Sequence, residues 1–69
     1  MLMNFNGEEL MLMMLYNSGT RLGLIHELRL MQCYLMPDET ALRELSEGVI
    51  EKLKLMTDAQ FAEVEFPMN

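Results

Sequence analysis

Few side chains in this sequence could take part in covalent or metal chemistry: one His, one Cys and a set of carboxylates. His26 and Cys33 are seven residues apart, or two helical turns. That puts them on one side of a helix but about 10 Å apart, beyond the reach of a thiol and its activating base. A structural zinc site takes four Cys or His ligands in close pairs and a catalytic site takes three, whereas this chain has one of each. His26 is therefore expected as a helix-surface side chain and Cys33 as a small apolar one. Asp38, Glu39, Glu44, Glu47 and Glu51 are numerous, but their helical spacing describes a wet face and not an acid–base pair in a cleft. The sequence contains no glycine-rich phosphate cradle, Gly-Lys-Ser/Thr, His-Glu-x-x-His or Gly-x-Ser-x-Gly. The expectation is a protein with no catalytic residue, no cofactor and no metal, hence not an enzyme.

Charge narrows the partners. Five Lys and Arg against eleven Asp and Glu give a net charge of -6 in 69 residues, which repels phosphate and anionic lipid. Residues 1–37 hold three acids and two bases, whereas residues 38–69 hold eight acids and three bases. The turn at Leu35-Met36-Pro37 resembles the middle of a helix-turn-helix, but the next helix opens on Asp38 and Glu39, which would face DNA phosphates. Direct nucleic-acid binding is not expected, nor is a small-molecule substrate. The apolar run Leu10 to Tyr16 is seven residues long and a membrane helix needs about 20, so no membrane partner is expected. The N-terminal residues carry Glu8 and Glu9 and no base, the wrong sign for a secretion leader. A lone Cys33 cannot make an internal disulfide, which fits the reducing cytoplasm.

A composition that is 51% hydrophobic and 23% charged is that of a folded chain, and 69 residues have room for a single domain. Local signals divide it into four helices with short connections, about 7–16, 20–34, 37–56 and 58–65: an all-α domain. Asn6 and Glu9 form a capping box, with Phe5 stapled on Leu10. Asn17, Ser18 and Gly19 stop the first helix, and Gly19 suits a left-handed conformation. Thr20 caps the second helix, which carries Leu24, Ile25, Leu28, Met31 and Leu35 at helical spacing. Pro37 fits the first turn of the third helix, with Asp38 and Glu39 against its positive end and Lys52 and Lys54 near its negative end. Leu42, Leu45, Val49, Ile50, Leu53 and Met56 draw the apolar stripe of that helix. Gly48 interrupts it at a cost of about 1 kcal/mol relative to Ala, either as a close helix crossing or as a tolerated weakness. Thr57 and Gln60 repeat the capping box, with Met56 stapled on Phe61. The last residues, Met68 and Asn69, read as a frayed tail.

The run Leu10 to Tyr16 could also be a buried strand, but it is made of Leu and Met with no β-branched residue, which favours helix. A helix apolar on every side must be surrounded or leave a sticky face, and three other short helices are little cover. Nine of the 69 residues are Met, and clustered thioethers either fill a core or recur at adaptable binding surfaces. Leu10, Met11, Met13, Met14 and Tyr16 are therefore the candidate interaction residues, for a protein partner or a homodimer. The rival is an acidic regulator that sequesters a basic nucleic-acid-binding or transfer protein through Glu39, Glu44, Glu47 and Glu51.

The segment Tyr16-Asn17-Ser18-Gly19-Thr20-Arg21 with Leu24-Ile25, the turn Leu35-Met36-Pro37-Asp38-Glu39 and the segment Met56-Thr57-Asp58-Ala59-Gln60-Phe61-Ala62 resemble the small transposon-transfer assisting proteins. These stretches spread over most of residues 5–66. The resemblance implies a bacterial protein encoded among the genes of a conjugative transposon, all-helical, with an accessory role in transfer of the element. It supplies no active-site residue. Met36 departs from it, since a capping Thr would suit the Pro37 turn better.

Overall fold

The computed structural model describes residues 4–66, so the expected tail at Met68 and Asn69 lies outside the described residues. Four helices follow in order: α1 (Gly7–Tyr16), α2 (Arg21–Cys33), α3 (Thr40–Leu55) and α4 (Asp58–Ala62). The run Leu10 to Tyr16 is helix and not strand. Both capping boxes form: Asn6 Oδ1 accepts from the Glu9 amide at 2.8 Å, and Thr57 Oγ1 accepts from the Gln60 amide at 3.1 Å. Gly19 takes φ 97, a left-handed conformation that costs glycine nothing. The side chain of Asn17 closes that turn by accepting from the Gly19 amide.

Three helices differ from their expected bounds, α2 by a single residue at each end, because Thr20 and Tyr34 are its caps. The third helix begins at Thr40, three residues later than expected. Pro37 instead occupies a turn in which the Glu39 amide donates to the Met36 carbonyl at 3.0 Å. Proline's fixed φ suits the second position of a β-turn as well as the first turn of a helix. The N-cap is Glu39, which makes no side-chain capping bond, so Asp38 and Glu39 precede the helix instead of filling its first turn. The fourth helix ends at Ala62 instead of 65, closing with tighter bonds from the Glu63 amide to Gln60 and from the Val64 amide to Phe61. Pro67 disfavours helical φ/ψ at Phe66, and β-branched Val64 adds little propensity.

The core is shared by three helices: Leu12 and Met13 of α1, Leu24, Ile25 and Leu28 of α2, and Val49, Ile50 and Leu53 of α3, closed by Met56. α1, α2 and α3 all pack against one another. Ser46 lies within the apolar stripe of α3 and is fully buried. Its hydroxyl donates to the Arg43 carbonyl and accepts from Gln32 Nε2 of α2 at 2.8 Å, so the buried oxygen is satisfied. Arg21 ties three elements: Nη1 donates to the Leu53 carbonyl at the open end of α3, and Nε donates to Asp58 at the start of α4.

The entry to α1 is pinned to α3. Glu9 is buried, and its Oε1 accepts both from the Asn6 amide at 2.9 Å and from Lys52 Nζ at 2.8 Å. Lys52 also donates to the Asn4 carbonyl and lies 5.4 Å from the centre of the Phe5 ring. Gly48 sits where α1 approaches: a Cβ there would stand 3.6 Å from Glu9 Oε2, which is ordinary contact distance.

Candidate interaction surface

α1 divides its apolar residues between two faces. At about 100° per residue, Leu12, Met13 and Tyr16 point one way with Glu9, and Met11, Met14 and Leu15 point the other. Met13 is fully buried, so its expected place at the surface is corrected: it fills the core between α2 and α3. Leu10 and Tyr16 are half-buried and pack against that core. Met11 is 61% exposed and Met14 42%.

Leu15 was absent from the expected set and is the most exposed large apolar residue of this helix at 78%. Its spacing of four from Met11 and one from Met14 was the available signal. Together Met11, Met14 and Leu15 form a strip at i, i+3, i+4, the spacing with which one helix meets another. From Leu10 to Tyr16 the helix contains no charged residue.

The strip is a convex helix face and not a pocket. A hollow of about 540 Å³ lies between Leu22 of α2 and Phe61 of α4, with Arg21 and Asp58 at its edge. A smaller one, about 280 Å³, is lined by Phe5, Leu10, Met56 and Val64. Met11, Met14 and Leu15 line neither.

The residues considered for chemistry do not converge. His26 and Cys33 are both exposed on α2. Among the described residues no three His, Cys, Asp or Glu side chains are grouped so as to share an ion. On α3, Glu44, Glu47 and Glu51 are exposed. Glu47 accepts from Gln32, and Glu51 from Lys54 one turn on. No helix among the described residues is long and apolar enough to cross a membrane.

No curated protein and no solved structure matches the chain. A family model described as "Putative transposon-transfer assisting protein" matches residues 5–67, a span that includes the capping boxes, the Pro37 turn and all four helices. The chain belongs to the transposon-transfer assisting protein family.

Proposed function

We propose that this protein assists transfer of a conjugative transposon without being an enzyme, by docking onto protein through the Met11, Met14 and Leu15 face of α1. The exposure of that uncharged strip is the observation that carries the reading. Burying a Leu or Met side chain is worth about 1.5–3 kcal/mol. Three partly exposed ones supply several kcal/mol, against an association cost of roughly 4–15 kcal/mol. The strip is therefore an anchor at the centre of a larger contact. Neither nucleic acid, membrane nor small molecule is a partner in this reading, and an exposed free thiol at Cys33 goes with a reducing bacterial cytoplasm.

The second reading, sequestration of a basic transfer or nucleic-acid-binding protein, draws on the exposed carboxylates Glu39, Glu44, Glu47 and Glu51. It ranks lower because Glu47 and Glu51 already accept hydrogen bonds within the chain.

The test is transfer frequency from donor cells that carry the element and express this protein as wild type, Leu15→Glu or the triple variant Glu44→Gln/Glu47→Gln/Glu51→Gln. Loss of transfer with Leu15→Glu alone supports docking through α1. Loss with the triple variant alone transfers the role to the acidic face.

A further inference from the structure

Among the described residues the methionines divide by place. Met13 and Met56 are buried in the core and Met31 is half-buried, whereas Met11, Met14 and Met36 are exposed. Met11 and Met14 supply two of the three side chains of the α1 strip, and Met36 stands apart from it in the turn before α3. Leucine would fill the positions of the strip as well as methionine does, since the two have similar helix propensity and volume. Beyond a flexible shape, the thioether adds a sulfur that an oxidant can reach.

We propose, on the basis of the docking reading, that Met11 and Met14 form a modification site at which a peroxide-class oxidant switches that face off by converting the thioethers to sulfoxides. In each step the O–O bond of hydrogen peroxide breaks and one S–O bond forms. The sulfur is oxidised by two electrons, one peroxide oxygen stays on it, and the other leaves as water with both protons. Reversal takes two electrons from an external dithiol through a methionine sulfoxide reductase, which returns the thioether and releases the oxygen as water. Hydrogen peroxide is uncharged, so the net charge of -6 does not keep it from the face.

The place of each sulfur decides what the added oxygen does. On the convex face of α1 a sulfoxide is hydrated in the free chain and leaves the core untouched. Docking would strip that water from a polar group that an apolar contact cannot satisfy, which is unfavourable. Met13, on the opposite side of the same helix, is fully buried, and an oxygen there would put a polar atom inside the core. One helix thus shields the thioether that holds the fold and presents the two that dock.

Peptide mass mapping of the full chain during timed exposure to hydrogen peroxide tests the site, in a Cys33→Ser background because the exposed thiol of Cys33 competes for oxidant. Met11 and Met14 should gain oxygen roughly tenfold or more faster than Met13 and Met56, with Met36 as the exposed reference and far-UV circular dichroism unchanged. Transfer frequency under sublethal peroxide tests the consequence in the same background, each strain being compared with its own untreated culture. The methionine strip should lose transfer roughly tenfold, Met11→Leu/Met14→Leu should abolish that loss, and Met36→Leu should give no protection. Oxygen reaching Met13 or Met56 as early as Met11 and Met14 overturns the proposal, as does unfolding of the chain when the strip is oxidised. A Leu15→Glu variant that loses transfer, in company with a leucine strip that gives no protection from peroxide, overturns the switch and leaves the docking reading intact. A Leu15→Glu variant that transfers normally overturns the docking reading and the switch together.

Discussion

Lys52 Nζ of α3 lies 2.8 Å from Glu9 Oε1 of α1, and the Glu9 side chain is only 7% exposed. The same oxygen accepts from the Asn6 amide, so one carboxylate both caps α1 and fixes it to α3. Removing the cation strands a buried charge, which costs more than the pair itself contributes.

Lys52→Met should destabilise the fold by about 1–3 kcal/mol. The figure is below that for a fully buried pair because Lys52 is 35% exposed and Glu9 keeps the Asn6 amide. Adding Glu9→Gln removes the stranded charge while keeping the cap, so the double variant should recover part of the loss. Urea unfolding of both measures it. A double variant that loses the full sum of the two single effects would show that the charges are not coupled.

Two glycines should respond with opposite signs. Gly48→Ala should stabilise by about 0.5–1 kcal/mol, because the helix gains propensity and the new methyl meets Glu9 Oε2 at 3.6 Å, an ordinary contact. Gly19→Ala should destabilise by about 1 kcal/mol, since φ 97 is unfavourable for any residue with a Cβ. Thermal midpoints check both. A fall for Gly48→Ala would contradict this reading, because at 3.6 Å the new methyl needs no movement of Glu9.

Met13 and Met11 are two residues apart on opposite sides of α1. Met13→Ala empties a fully buried site and should cost about 2–5 kcal/mol. Met11→Ala should change the stability of the isolated chain by less than about 0.5 kcal/mol. Equal losses in denaturant titrations would place both side chains in the core.

This split also shows where sequence reasoning ends. The capping boxes at Asn6 and Thr57 and the stop at Gly19 are local hydrogen-bond chemistry, and the spacing of a few residues specifies them. The stripe of α3 is equally legible because Glu44, Glu47 and Glu51 mark its wet side. In α1 no polar residue follows Glu9 until Asn17, so period alone cannot say which Met faces inward. That depends on how α1 lies on α2 and α3. The start of α3 escaped for a different reason: Pro37 fits a turn and a helix start equally well, and Met36 offers no side-chain cap to decide between them. Ser46 was legible and missed, since it stands at i+4 from Leu42 within the apolar stripe of α3.

Ser46→Val should separate packing from hydrogen bonding in that stripe. The hydroxyl joins Gln32 of α2 to the Arg43 carbonyl, and its loss should leave Gln32 Nε2 with Glu47 alone, at a cost of about 1 kcal/mol. Pairing Ser46→Val with Gln32→Leu should recover that cost, because both polar partners are then gone. Urea midpoints of the single and double variants read the difference. A double variant less stable than Ser46→Val would show that Gln32 matters for its bond to Glu47.

The central claim, that a protein covers the Met11, Met14 and Leu15 face during transfer, is tested most directly by a photo-crosslinking amino acid at position 15 in donor cells, with the same group at position 55 as control. Covalent adducts are predicted from position 15 and not from position 55, with the same side chain and similar exposure at both sites. A position 15 that yields no adduct, or no more than position 55 does, would contradict the account.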